Sequence, residues 1–117
     1  MADKTLEMTM LFDFFGDLLT EKQREYFDLY HNEDLSLSEI AENVGITRQG
    51  VRDIIVRAEN TLREYEERTG IVARFEERSR QAERAERLAA EIKSRSVDGE
   101  ISSLAGELIL ILESLKG

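Results

Sequence analysis

Apolar side chains recur at helical spacing on both sides of Gly45, within the stretch Ser36 to Ile55. Positions three or four residues apart share one face of an α-helix, so each side of the glycine predicts a helix with a buried face. We also expect Ile46 to be buried, as the plug of the turn between the two helices. The inward positions are Ile40, Ala41 and Val44 in the first helix, and Val51, Ile54, Ile55, Ala58 and Leu62 in the second.

Polar residues mark the start of each of these helices, and a glycine marks the turn. Ser36 and Glu39 form a capping box, in which two side chains satisfy free amides at a helix start. Gly45 stands where a left-handed backbone would strain any other residue, and Thr47 is a suitable N-cap. Ala41 is small enough to let the second helix cross closely. Together these features indicate a helix-turn-helix motif.

The second motif helix presents an outward cluster formed by Thr47, Arg48, Gln49 and Arg52. A plain helical hairpin would explain the apolar positions, but it gives no reason for this cluster. Gly50, in the same first turn, should cost up to about 1 kcal/mol relative to alanine. A side chain at this position would obstruct either a neighbouring helix or a ligand, and the sequence leaves both explanations open.

The same spacing predicts helices along the rest of the chain and no strands, so the fold class is all-α. The second motif helix continues from Thr47 to Arg68, about 33 Å, and Gly70 ends or kinks it. A second capping box pairs Thr20 with Gln23. The other predicted helices are Met8 to Phe15, Glu21 to His31, Ile71 to Ile92 and Ile101 to Leu115, with a loop from Ser94 to Gly99.

Apolar and aromatic residues supply the inward faces of these outer helices. Near the N-terminus we expect the core to contain Met8, Leu11, Phe12, Phe14 and Phe15. In the next helix, a broad apolar face is supplied by Tyr26, Phe27, Leu29 and Tyr30. In the helix after Gly70, small residues on a seven-residue repeat predict a narrow seam for close helix packing. That repeat consists of Ile71, Phe75, Ala82, Ala85, Ala89 and Ile92.

The last predicted helix is apolar around much of its circumference, so one neighbouring helix cannot bury all of it. It is either enclosed in the core or covered by a second subunit, because a large exposed apolar patch favours aggregation. Of the two, we favour a homodimer. The sequence thus predicts a helix-turn-helix domain at residues 1–69. A helical extension at residues 70–117 either packs on that domain or forms a dimer interface.

Composition limits the class of protein. The chain has 117 residues, of which 35% are charged, with no proline and no cysteine. A chain of this length makes one domain, or one small domain with an appendage. No run approaches the roughly 20 apolar residues of a membrane span, and the start lacks the pattern of a signal peptide. We therefore expect a cytoplasmic protein without disulfides.

The net charge of −9 opposes binding to nucleic acid, because phosphate neutralisation supplies most non-specific affinity. The acidic side chains are unevenly distributed. Residues 1–46 carry 3 basic and 11 acidic side chains, whereas residues 47–68 carry 5 of each and residues 69–117 carry 8 and 9. The surface around Arg48, Arg52 and Arg57 can thus be locally positive, which fits weak or partner-assisted binding better than tight independent binding.

No arrangement typical of an enzyme or of a metal or cofactor site is present. Asp13 and Asp17 are two carboxylates without converging ligands, and His31 has neither a nucleophile pattern nor metal-ligand companions. We expect His31 at a helix end, where the dipole favours a protonated imidazole. Lys22 and Arg24 either contact a phosphate backbone or simply solubilise a helix start. The arginines within ERSRQAERAER form either a salt-bridged surface or, less favoured by the interleaved glutamates, an RNA-binding face.

Beyond the generic motif, residues 1–93 resemble the YlxM family of small bacterial helix-turn-helix proteins, which are related in sequence to region 4 of sigma factors. The matching stretches are LFDFFGDLLTEKQ, LY, DLSLSEIAE, TRQGVRDIIVRAE and EYEE, which begin at Leu11, Leu29, Asp34, Thr47 and Glu64. The sequence departs from the family at Phe15 and His31, where tyrosine is usual, and at Arg52, where an aromatic residue is usual. The C-terminal helix is also more apolar than is expected of the family.

The resemblance implies an all-helical fold and a regulatory protein that binds DNA. It also implies a link to the signal recognition particle pathway, since the family's genes lie beside those for the particle's GTPase and its receptor. By residue, it places base-edge contacts on Arg48, Gln49 and Arg52, and backbone contacts on Thr47 and Arg57. The alternative is an accessory protein that binds the particle's GTPase or its RNA, which the acidic first third of the chain favours.

Overall fold

The computed structural model describes residues 2–116 and the side chains of residues 6–116. Within this range all regular structure is helical, which confirms the predicted all-α class. The elements are α1 (Ala2–Phe15), a short 3-10 helix (Gly16–Leu18), α2 (Glu21–His31), α3 (Leu37–Val44), α4 (Arg48–Thr69), α5 (Ile71–Arg95) and α6 (Gly99–Leu115).

The chain divides into two compact units, Met1–Val72 and Ala73–Gly117. The first contains α1 to α4 and the start of α5, and the second contains the rest of α5 together with α6. This division lies close to the predicted domain boundary between residues 69 and 70. That the two parts are separate domains stays a prediction.

The first unit has a buried cluster formed by α1, α2 and α4. Its aromatic centre is a stacked pair, Phe12 and Phe27, with ring centroids 4.7 Å apart. The prediction that Phe14 is buried is wrong, because its side chain is 38% exposed. At about 100° per residue, the buried face of α1 passes through Met8, Leu11 and Phe15 and leaves Phe14 to one side. The buried members are Met8, Leu11, Phe15, Leu19, Phe27, Ala58, Leu62 and Val72.

A second buried cluster lies beneath the helix-turn-helix motif and joins α2, α3 and α4. It consists of Tyr26, Ile40, Ala41, Val51 and Ile55, of which Ile40 and Val51 are fully buried. Partly buried side chains surround it, among them Val44 and Ile54. The inward positions expected on either side of the turn therefore meet in one cluster, which holds α3 and α4 in a fixed arrangement.

The turn between α3 and α4 depends on the left-handed backbone of Gly45. Its φ angle is 75°, and its N–H donates to the Ala41 carbonyl over 3.0 Å. The prediction that Ile46 is a buried plug is wrong, since this side chain is 39% exposed. Val44 and Val51 already fill the cluster beneath the turn, so Ile46 stays at its rim.

The capping residues lie where the sequence placed them. Thr20 with Gln23 and Ser36 with Glu39 both form reciprocal capping boxes, with distances of 3.1 to 3.2 Å. Gly70 ends α4 in a left-handed conformation, φ 63°, rather than kinking it. Several other ends differ by a few residues. α1 and α6 begin earlier than predicted and α5 ends later, so the predicted loop from Ser94 to Gly99 is shorter.

The second unit is built on α5 and α6. Among its described residues, Ala89 and Ala105 are buried, whereas Ala82 and Ala85 are only half-buried. Close packing of small side chains along the whole seam stays a prediction. Ile71 and Ile92, at the ends of the seven-residue repeat, are exposed, so the buried part of the repeat does not extend over the whole of α5. At the far end, Lys116 Nζ lies 2.6 Å from Glu86 Oε2. The hydrogen bond with Glu86 raises the pKa of Lys116.

Replacing Gly45 with alanine tests the turn directly. A Cβ there would meet no atom within 4 Å, so the effect is confined to the left-handed backbone. We expect Gly45→Ala to lower the free energy of unfolding by about 1–2 kcal/mol, measured by urea denaturation of the full chain. Gly99→Ala is the matched control, because a Cβ there also meets open space, and we expect it to change stability by less than about 0.5 kcal/mol. Equal stability of the two variants would contradict the turn.

Candidate nucleic-acid interface

The start of α4 is fixed by its own cap. The Thr47 hydroxyl oxygen accepts a hydrogen bond from the Gly50 N–H over 3.0 Å. A Cβ on Gly50 would lie 3.1 Å from that oxygen and 3.5 Å from Cδ1 of Ile46. These nearest atoms belong to the turn, not to a neighbouring helix. The glycine therefore leaves room for the cap and for Ile46, which explains its unfavourable place in a helix.

Three polar side chains project from the first two turns of α4. Arg48, Gln49 and Arg52 are all exposed, and at 100° per residue they occupy a sector of about 100° around the helix. No acidic residue lies in the first turn, so the positive end of the helix dipole adds to the two guanidinium groups. This end of α4 thus presents hydrogen-bond donors together with positive charge.

Asp53 belongs to the same surface, although the predicted cluster does not include it. Gln49 Nε2 donates to Asp53 Oδ1 over 3.0 Å, which holds the amide in place. The spacing of four residues is the signal that could have revealed this pair. Among the residues that the structure describes, neither Arg48 nor Arg52 forms an ion pair with a carboxylate. Both guanidinium groups can therefore meet a ligand.

Arg57 is separated from the other predicted contact residues. It is exposed, but it lies about 140° around α4 from Arg52. The structure therefore brings Arg48, Gln49 and Arg52 together, places Thr47 at the same helix end as their cap, and leaves Arg57 on the opposite flank. One side of the helix cannot present all five residues to the same ligand surface.

Two of the other candidate residues, Arg24 and Arg80, have local partners. Arg24 Nη1 lies 3.3 Å from Asp17 Oδ1. On α5, Arg80 pairs with Glu77, and Gln81 and Arg80 hold the pKa of Glu77 below its usual range by hydrogen bonding. Arg95 likewise pairs with Glu91. Among the residues described, Arg78, Arg84 and Arg87 of the same stretch form no ion pair with a carboxylate, so both alternatives for this surface stay open. None of the helices described is long and apolar enough to cross a membrane.

His31 links α2 to α4 beside the candidate interface. It ends α2 as expected, but its partner, Glu59, is 28 residues away in sequence, and no local pattern reveals the pair. Nε2 of the imidazole lies 2.7 Å from Glu59 Oε2, with side chains only 9% and 19% exposed. The ring also packs on Phe27, with centroids 4.2 Å apart. This contact fixes the middle of α4 relative to α2.

An open groove of about 560 Å³ adjoins this contact. Its lining includes Arg52 together with three acidic residues, Asp34, Glu39 and Glu59. Asp34 adopts a left-handed conformation, φ 60°, which aspartate tolerates better than most residues. Arg52 therefore lies between the exposed end of α4 and a groove of mixed charge.

Comparison with known proteins places this arrangement in context. A family model described as "Putative helix-turn-helix protein, YlxM / p13 like" matches residues 2–100, a range that includes all of α1 to α5. A UPF0122 protein of Halalkalibacterium halodurans is 47% identical over 98% of this chain and 96% of its own length. One from Thermoanaerobacter pseudethanolicus is 42% identical over 98% of each. One from Bacillus cereus is 47% identical over 78% of this chain and 83% of its own. These matches confirm the family resemblance seen in the sequence.

A double-mutant cycle on His31 and Glu59 tests whether this contact positions α4. Hydrogen bonds to charged groups contribute about 1.5–3 kcal/mol, so we expect a coupling energy above about 1 kcal/mol between His31→Ala and Glu59→Ala in urea unfolding. The exposed pair Arg68 and Glu64, 2.8 Å apart on the same helix, is the control, with an expected coupling of about 0.3–0.5 kcal/mol. Coupling no larger than in the control would show that the contact does not hold the two helices together.

Proposed function

The chain belongs to the YlxM/p13-like family of helix-turn-helix proteins, and from that premise we propose that it is a non-enzymatic regulatory protein that binds DNA through α4. The observation that carries the proposal is the exposure of Arg48, Gln49 and Arg52 at one end of a helix held by the Gly45 turn. In helix-turn-helix proteins the second helix lies in the major groove and contacts bases through its N-terminal residues.

The chemistry of the three side chains suits base edges. An arginine can donate two hydrogen bonds to O6 and N7 of guanine, and a glutamine can pair with N6 and N7 of adenine. Arg48 and Arg52 would take the first role. Gln49 would take the second after giving up Asp53, whose carboxylate could then accept from the amino group of cytosine. Each good bidentate contact contributes about 1–3 kcal/mol of discrimination.

Thr47 and Arg57 would contact phosphates instead of bases. Thr47 lies at the amide-rich start of α4, where anions are favoured, and its hydroxyl hydrogen is free to donate while its oxygen accepts from Gly50. Arg57 lies on the flank of α4, so it would reach the strand that borders the groove. Such contacts fix the position of the protein on DNA and carry little sequence information.

The proposed binding is weak in a single copy, because residues 1–46 contribute a charge of −8 that repels phosphates. The guanidinium groups of Arg48, Arg52 and Arg57 would together displace about three counterions from the DNA. The affinity for DNA should therefore fall about 40-fold between 50 and 200 mM salt. Because of this weak binding, we also propose that the protein acts as a homodimer, which would bind two half-sites. We propose separately that it works in the cytoplasm.

A second candidate function is that of an accessory protein of the signal recognition particle, as the resemblance to the YlxM family implies. The protein would then bind the particle's GTPase or its RNA through the same motif. Two features favour a basic protein partner: the acidity of residues 1–46 and the exposed acidic side chains Asp34 and Glu39 along the groove. Opposite charges on two surfaces speed their encounter and exclude wrong partners.

Alanine substitutions at Arg48 and Arg52 test the base-reading role. Duplexes selected from a random pool by the wild-type chain would serve as probes in fluorescence anisotropy at 50 mM salt. We expect each substitution to weaken binding by about 10- to 100-fold, while circular dichroism stays unchanged. Arg68→Ala is the control, since it removes the same charge from the same helix about 30 Å away and should bind almost as tightly as wild type. Wild-type affinity in the Arg48→Ala, Arg52→Ala double variant would refute DNA reading.

Arg57→Ala tests the division between base and phosphate contacts. We expect this variant to select the same sequence as wild type, to bind it more weakly, and to show a salt dependence that is shallower by about one unit of slope. An altered sequence preference would contradict a phosphate-only role for Arg57.

Capture experiments separate the two candidate functions. The tagged full-length chain would be incubated in parallel with the selected duplex, with the purified GTPase of the signal recognition particle and with the particle's RNA. DNA binding predicts retention of the duplex, lost in the double variant. Retention of the GTPase or the RNA, with no duplex selected from the pool, would decide for the accessory protein.

A further inference from the structure

Helix α6 carries a row of exposed apolar side chains along one side. The residues are spaced by three and four positions alternately, which is the heptad spacing of a helix seam that packs against another helix. They are between 46% and 69% exposed and extend over about 21 Å of the helix. The row consists of Ile101, Leu104, Leu108, Ile111 and Leu115.

The row is not the side of α6 that packs on α5. That inward side contains the buried Ala105, and Lys116, whose Nζ meets Glu86. Each member of the row comes one position before an inward residue, as Leu104 does before Ala105 and Leu115 before Lys116. The row is therefore turned by about 100° from the inward side of the helix.

Two exposed residues of α5 extend this surface. Leu88 and Ile92 are each 52% exposed, and they come one position before the buried Ala89 and before Lys93, whose Nζ lies beside Gly106. Because α5 and α6 run antiparallel, the positions one residue before the inward residues lie on the same side of the pair in both helices. Lys93 lies beside Gly106 and Glu86 contacts Lys116. These two contacts place Leu88 level with Ile111, and Ile92 level with Leu108. We call this surface the hairpin face.

We propose that the hairpin face is the interface between two copies of this chain, in which α6 of each copy lies over α5 of the other. The four helices would form a bundle around one shared apolar layer, as in four-helix bundles with close to antiparallel helices. A two-fold axis parallel to the helices produces this arrangement and makes the contact self-complementary. The inference rests on the homodimer of the proposed function, but not on DNA binding.

Charge complementarity favours a second copy in this orientation. Glu100 and Glu107 border the α6 row, each one position before an apolar member, whereas Arg84 and Arg95 continue the α5 row at its two ends. With α6 over α5, Glu107 of one copy comes level with Arg95 of the other. The Arg95 guanidinium already donates to Glu91 in its own helix, and its remaining N–H groups can serve a second carboxylate. With α6 over α6, Glu107 would instead meet its own counterpart.

Sedimentation equilibrium of the full chain, without DNA, tests the interface. We expect wild type to be a dimer and Leu108→Asp to weaken dimerisation by at least 100-fold, because a carboxylate would be placed at the centre of the apolar layer. Leu110→Asp is the matched control. Leu110 is a leucine of the same helix, 67% exposed, about 140° away from the row, so this variant should remain a dimer. Circular dichroism would check that both variants keep their helix content.

Charge reversal tests the orientation. Glu107→Arg and Arg95→Glu should each weaken the dimer, and the two together should restore it. Failure of the double variant to recover would overturn the arrangement of α6 over α5. A dimer that is unaffected by Leu108→Asp, or equally dissociated by Leu110→Asp, would overturn the hairpin face while leaving the proposed homodimer. A monomeric wild type would overturn both, whereas the effect of Arg48→Ala on DNA binding is measured separately.

Discussion

The left-handed backbone at Gly45 is the constraint on which the candidate interface depends. It lets the chain turn sharply between α3 and α4, so the apolar sides of the two helices meet in a single buried cluster that includes Ile40 and Val51. Once that side of α4 is buried, the opposite side is fixed as well, and Arg48, Gln49 and Arg52 project outward. The contact between His31 and Glu59 adds a second attachment further along α4. Rigid presentation of these side chains matters because base recognition depends on their geometry.

Much of this arrangement was predictable from sequence because its causes are local. Capping boxes, N-caps and helix-ending glycines act within a few residues, and all of those predicted at Thr20, Ser36, Thr47 and Gly70 are present. What sequence reasoning missed depends on tertiary packing. The partner of His31 is 28 residues distant in sequence. The exposure of Phe14 and Ile46 depends on which other side chains occupy the buried clusters. The exposed side of α4 was expected, but its pairing of Gln49 with Asp53 was not.

Charge and apolar surface divide between the two units of the chain. The first unit combines a strongly acidic segment with a small positive surface on α4, a charge distribution that would limit the affinity of one copy for DNA under the proposed function. The second unit contributes little net charge, since residues 69–117 carry 8 basic and 9 acidic side chains, and it carries the hairpin face. A pairing surface in one unit would compensate for weak binding in the other, because linked sites bind with a higher effective affinity than either alone.

We propose above all that α4 reads DNA through the end held by the Gly45 turn. The most direct measurement is NMR chemical-shift mapping of the ¹⁵N-labelled full chain during titration with a duplex selected from a random pool. We expect the largest shifts on the amides of residues 47–53, with smaller ones near Arg57. Shifts confined to the groove beside His31 or to α5 and α6, with residues 47–53 unchanged, would contradict this proposal.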